Sequence, residues 1–263
     1  MTSNFSEILV LMFLGFSTFF PIFFILIPRH KIDSGFYNFN LGLSGIVASF
    51  ALMLLWIANI EMSVLIYVFG WLAVHLIITS IYWNSESISF IPLLVSSLLG
   101  LVVFWIIFIH FHPELASPRS GFITLIGNGI LSGVFFAMIL GHWYLNVIRL
   151  PIRLLRNVTI VLFILVGIRV GIDLYGLITQ TVLTPIGTPI PLYIFVTTFG
   201  GFFISLALFF GLIVPVIVLA MVWKTIQIQS TQSATGLLYV SCVSVLFGDL
   251  FYRYCLMQYG LVL

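Results

Sequence analysis

Long apolar runs, each close to the length of a membrane crossing, alternate with short polar or proline-rich breaks along the whole chain. A helix needs about 20 mostly apolar residues to cross a bilayer. Eight such runs fit, approximately 5–27, 41–60, 62–83, 88–110, 122–148, 158–181, 193–223 and 236–260. Between them lie PRHKIDSGFYNFN, a tight turn near Asn59 and Glu61, NSES, FHPELASPRSG, RLPIRLLRN, LTPIGTPIP and KTIQIQSTQSAT. The polar-in, apolar-out alternation of a membrane barrel is absent, and in lipid each segment must satisfy its own backbone. The pattern therefore predicts an all-α polytopic bundle, one transmembrane domain over residues 1–263 with no extended soluble part. Pro21, Pro92 and Pro215 fall inside spans, where proline kinks are tolerated. No internal repeat is visible.

Composition sharpens this. Only 6% of residues are charged and 62% are hydrophobic, against roughly 25% charged in a soluble domain. Lipid must cover most of the surface. The N-terminal MTSNFSEILVLMFL lacks a basic region and a small-residue cleavage site, so it reads as a retained membrane helix. Arg29, Lys31, Arg149, Arg153, Arg156 and Lys224 fall in loops on one side, and the opposite loops carry only Arg119. The positive-inside rule makes the basic side cytoplasmic and puts both termini on the non-cytoplasmic side. A bacterial inner (cytoplasmic) membrane is the expected location. Arg149, Arg153 and Arg156 recur at helical spacing. They suit anionic lipid headgroups or the docking of a cytoplasmic partner. Cys242 and Cys255 lie on one helix about 20 Å apart and cannot bond to each other.

Four charges stand inside apolar spans: Arg169 and Asp173 in LFILVGIRVGIDLYGLI, and Asp249 and Arg253 in the last span. Each costs at least ~2.5–3.5 kcal/mol near the bilayer centre, so each needs a partner or a function. Both pairs have i,i+4 spacing in opposite order. The two helices run parallel, so Arg169 is level with Asp249 and Asp173 with Arg253. Cross-helix pairs between them are the expectation. Gly167 and Gly171 form a GxxxG that predicts close helix approach at Arg169. Tyr175, Tyr252 and Tyr254 add hydroxyls and ring faces. The cluster reads as a proton path or polar pocket for a quinone headgroup, or as charges that fix helix register.

His75 and His142 stand at similar depths on parallel helices. Facing imidazoles are a usual axial pair for haem b, with room for the macrocycle at Gly133, Ala137 and Gly141 and with Asn146 to orient a ring. Each also reads as a hydrogen-bonded packing residue. His110, His112 and Glu114 share one loop and could hold a metal, or simply form a polar loop; no metal site is assigned. His30 reads as a solvated face. No GxGxxG, GxxxxGK[ST], HExxH or GxSxG motif occurs in useful context, so no self-contained soluble active site is expected.

The segment LFGDLFYRYCLMQYG resembles the last helix of the NrfD/DmsC-like membrane anchors of dimethyl sulfoxide and polysulfide reductases. Gly248, Asp249, Leu250 and Arg253 match a Gly-acid-Leu-x-x-Arg run, with Asp in place of Glu. The likeness spans about 15 residues. It implies a quinone-interacting anchor subunit of a respiratory electron-transfer complex, bound to an iron–sulfur or cytochrome subunit. The other readings are a haem b-binding cytochrome subunit, carried by His75 and His142, and, for the buried charges, a transporter or channel or a structural subunit of a membrane complex.

Overall fold

The computed structural model describes residues 2–27, 32–83, 85, 88–147, 150–183, 187–261 and 263. Among them are eight helices long and apolar enough to cross a membrane. They are α1 (Phe5–Leu26), α2 (Ser34–Ile57), α3 (Met62–Tyr82), α4 (Phe90–Phe111), α5 (Pro118–Asn146), α6 (Arg153–Thr179), α7 (Phe199–Gln227) and α8 (Thr231–Tyr259). An even number of crossings puts both chain ends on one face, called here the terminal face. The opposite face carries Arg153, Arg156 and Lys224 and is called the basic face. Arg29, His30, Lys31 and Arg149 lie outside the described residues.

Polar caps lengthen several helices beyond their apolar runs. Asp33 accepts the Phe36 N–H at 3.1 Å, so α2 begins at Ser34 and not near residue 41. Ser117 and Ser120 form a reciprocal capping box with Pro118 in the first turn, which starts α5 ahead of its apolar stretch. Pro92 lies in the first turn of α4, where its missing N–H breaks no helical bond. Pro21 begins a tighter 3-10 stretch, Phe20–Leu26, that finishes α1.

The break expected at LTPIGTPIP holds more structure than its prolines suggest. Strand β1 (Thr181–Leu183) pairs antiparallel with β2 (Pro189–Pro191). Val182 is buried in a cluster with Leu192, Ile204, Tyr252 and Leu261, so this hairpin covers the terminal-face end of α7 and α8.

The helices form two four-membered rings. In the first, α1 packs on α2 and α4, and α3 closes the ring between them; in the second, α5 packs on α6 and α8, and α7 closes it. The rings meet where α1 lies against α5 and α8. Phe16, Phe20, Phe23 and Phe136 fill this seam with tilted, edge-to-face and stacked rings 4.8–5.7 Å apart. A Cβ on Gly133 would stand 2.5 Å from Phe23 and 2.8 Å from Leu162, so glycine is what lets the seam close.

α7 is irregular next to α8. A π turn, Phe209–Ile213, precedes Pro215. Proline offers no N–H to the carbonyl four residues back, which loosens the ladder there. Ser244 of α8 donates to the Phe210 carbonyl at 2.7 Å. Gly211 and Gly248 meet backbone to backbone, since a Cβ on Gly248 would stand 2.2 Å from Gly211 Cα.

Candidate functional site

The four intramembrane charges meet at the centre of the second ring, nearer the terminal face. Arg169 Nε donates to Asp173 Oδ1 at 3.0 Å on α6, and Arg253 Nε donates to Asp249 Oδ2 at 2.7 Å on α8. Both ion pairs thus run along their own helices, and the expected cross-helix pairs do not form. The reason lies in the ring order. α6 and α8 stand on opposite corners, while i,i+4 spacing supplies each arginine with a partner one turn away.

Tyr252 bridges the diagonal. Its hydroxyl donates to Asp173 Oδ2, and the Arg169 guanidinium lies over its ring, 3.7 Å from the centroid. The expected level match of Arg169 and Asp249 is preserved at Gly127, where an added Cβ would stand 3.5 Å from Arg169 Nη1 and 3.4 Å from Asp249 Oδ1. Arg253 Nη2 donates to Asn128 Oδ1 of α5 at 2.5 Å, and Asn128 lies against Gly15 of α1. Relative exposure runs from 0% at Asp173 and Asn128 to 9% at Asp249 and Tyr252, so every member is shielded from the lipid.

The network is short of acceptors. Arg169 Nη2, Arg253 Nη1 and Asn128 Nδ2 are buried donors without a hydrogen-bond partner among the described residues. Two small cavities flank the cluster. One, of about 30 Å³, is half open and lies between Arg169, Asp249, Arg253, Ile123 and Leu256. The other, of about 20 Å³, lies toward Gly127, Gly211 and Val245. Each has room for about one or two waters. The donors suit a carbonyl oxygen or a water. The space beside them takes a guest of water size, and a ring enters only if Leu256 or its neighbours Leu261 and Leu263 give way.

Other expected members lie elsewhere. Tyr175 is exposed under Arg119, whose guanidinium is 5.6 Å from its ring, and Tyr254 packs on Phe203. Gly167 and Gly171 face open space and bring no helix near Arg169, contrary to their GxxxG spacing. The close approaches to the cluster come from Gly15, Gly127, Gly211 and Gly248 instead. Asn128, missed in the sequence, had a signal: it is an uncharged polar residue in the middle of an apolar run, flanked by Gly127 and Gly129.

The two histidines occupy different settings. His75 is buried in the first ring, with Nδ1 3.1 Å from Ser96 Oγ and its ring beside Trp71. His142 is exposed at the basic-face end of α5, with Nδ1 3.4 Å from the Tyr239 hydroxyl. α3 packs on α2 and α4, whereas α5 packs on α1, α6 and α8. The glycines expected to admit a macrocycle are filled, Gly133 by Phe23 and Gly141 by Thr235 of α8. Asn146 is exposed, and it is Tyr239 that meets the His142 ring. These residues do not fit a bis-histidine haem.

The GHWYLN segment is instead a set of tethers. Trp143 Nε1 donates to Asp33 at 3.3 Å, and the Tyr144 hydroxyl donates to the Pro151 carbonyl ahead of α6. On the terminal face His112 lies 3.7 Å from both Glu7 and Glu114, and His110 is exposed. No group of three or more His, Cys, Asp or Glu with metal-binding geometry occurs among the described residues. Cys242 and Cys255 are both free and buried. No family model, curated protein or solved structure matches the chain.

Proposed function

We propose that the chain is the membrane anchor of an electron-transfer complex, and that the half-open pocket in the second ring meets the headgroup of a membrane quinone. The observation that carries the reading is the pair of buried guanidinium groups with N–H donors unpaired among the described residues, Arg169 Nη2 and Arg253 Nη1, beside a pocket whose remaining wall includes Ile123, Leu256, Leu261 and Leu263. A quinone supplies what this pocket lacks, a carbonyl acceptor, and when bound it carries electrons and protons together. Arg169 and Arg253 hold the oxygen. Asp249 keeps Arg253 in place and is the carboxylate lining the pocket, so it is the group to exchange a proton there. Tyr252 and Asp173 hold Arg169 from the other side. The last-helix likeness to quinone-interacting anchors covers Asp249 and Arg253 of this group and does not extend to Arg169, Asp173 or Tyr252. An iron–sulfur or cytochrome subunit is the partner this role requires.

The test is photolabelling of the full chain with a photoreactive quinone. The expected label falls on α5 or α8 peptides and drops at least tenfold in Arg253→Gln. Label spread evenly over lipid-facing helices, unchanged by that substitution, contradicts the reading.

A second reading has its own observation. Both ion pairs close within one helix and Tyr252 ties them together, which is also how a purely structural lock of α5, α6 and α8 is built. Under it, paired neutral replacement of Asp249 and Arg253 leaves assembly with the partner subunits intact and has no effect on quinone labelling.

A further inference from the structure

Among the described residues, three exposed cations on the basic face have no carboxylate against them. Arg153 and Arg156 begin α6, and Lys224 lies in the last turn of α7. All three are exposed, and none is in an ion pair among the described residues. Asp33, the described acid nearest that face in sequence, is committed to capping α2 and to Trp143.

Next to these cations, α6 and α7 leave an open groove of about 330 Å³ walled by Ile160, Phe163, Ile164 and Trp223. Arg156, Ile160, Phe163 and Ile164 follow the i, i+4, i+7, i+8 spacing of a single helical stripe. Arg156 therefore stands one turn above the groove, toward the basic face. On the other wall Trp223 immediately precedes Lys224. The Phe163 and Trp223 rings meet edge to face, centroids 6.0 Å apart, and join the two walls. Ile160 is 40% and Ile164 56% exposed, so the groove opens away from the bundle.

We infer that this groove is a site for one acidic phospholipid, its acyl chain along Ile160, Phe163, Ile164 and Trp223 and its phosphate at Arg156 and Lys224, with Arg153 close by. In a bilayer an apolar groove is filled by chains of any lipid, so the selectivity comes from the mouth. Uncompensated Arg and Lys attract anionic headgroups, each enriching them roughly fivefold. A tryptophan at the boundary between chain and headgroup fits the same placement. A partner helix lying in the groove leaves the cations at its mouth without a counter-charge, which favours the lipid.

The experiment uses the full chain in phosphatidylcholine vesicles. A minor fraction of the lipid carries brominated acyl chains, either as phosphatidylglycerol or as phosphatidylcholine. The Trp223 signal is the difference between the chain and Trp223→Phe. The expected result is quenching by brominated phosphatidylglycerol several-fold above its mole fraction, with brominated phosphatidylcholine quenching in proportion. Arg156→Gln with Lys224→Gln, both at exposed positions, then brings the two lipids level while the elution profile of the folded protein is unchanged. Equal quenching by both lipids in the unaltered chain overturns the inference. So does a preference that survives the double substitution, and so does quenching by neither lipid, the sign of a protein seated in the groove.

Discussion

The Tyr252 hydroxyl of α8 donates to the Asp173 carboxylate of α6 across the centre of the second ring. Direct backbone approach in that ring runs along its edges, so this side-chain bridge is what makes the two ion pairs one cluster. Tyr252→Phe keeps the ring under Arg169 and removes only the donor. It leaves a buried carboxylate oxygen unsatisfied, and the expected loss is about 2–3 kcal/mol in unfolding of the detergent-solubilised protein. Combined with Asp173→Asn the losses should not add, with a coupling of at least ~1 kcal/mol. Additive losses remove the bridge from the account.

The intrahelical pairing makes a distinct prediction about charge exchange. Arg169→Asp with Asp249→Arg places two carboxylates on α6 and two guanidiniums on α8, each pair one turn apart. Either single change costs about 3–5 kcal/mol, and the double change should restore nothing. Exchange along one helix, Asp249→Arg with Arg253→Asp, should recover part of the loss. Rescue by the cross-helix exchange, read as folded yield and thermal stability, would mean that the ion pairs run between α6 and α8 and not along each helix.

Glycines separate in the same way. A Cβ on Gly248 meets the Gly211 backbone at 2.2 Å, while one on Gly167 or Gly171 meets nothing within 4 Å. Gly248→Ala should cost about 1–3 kcal/mol through overpacking. Gly167→Ala and Gly171→Ala should stay within about 1 kcal/mol of the unaltered chain. Thermal melting of the three variants side by side checks the contrast, and similar effects at all three positions contradict it.

Much of this fold was legible in the sequence because the membrane leaves few solutions. Eight apolar runs became eight helices, and the caps that moved their ends, Asp33 and Ser117, are residue types that start helices. The four charged members of the site were legible too, since charges in apolar spans are costly and draw the eye, whereas the uncharged Asn128 was not. Their partners were not. Spacing along Arg169–Asp173 and depth across Arg169–Asp249 favoured different pairings, and only the ring order, which places α6 opposite α8, decides between them. That order depends on packing at Gly15, Gly133, Gly211 and Gly248. Nothing in the local sequence distinguishes these from Gly167 and Gly171, whose motif pointed the wrong way.

The histidines yield a spectroscopic prediction. His75 is buried against Ser96 and Trp71 in one ring, and His142 meets Tyr239 on the exposed end of another. The purified chain should therefore show no b-type band in a dithionite-reduced minus oxidised spectrum. A band lost in both His75→Ala and His142→Ala restores the axial pair and requires α3 and α5 to approach in a way this packing does not allow.

The quinone reading rests on the half-open pocket beside Arg169 and Arg253, and Leu256 stands at that pocket without belonging to the charge network. The most direct measurement is equilibrium binding of a quinone headgroup analogue to the full chain and to Leu256→Phe, with thermal stability followed in parallel. Filling the pocket should weaken binding at least tenfold while the fold survives. Unchanged affinity in a folded Leu256→Phe protein contradicts it.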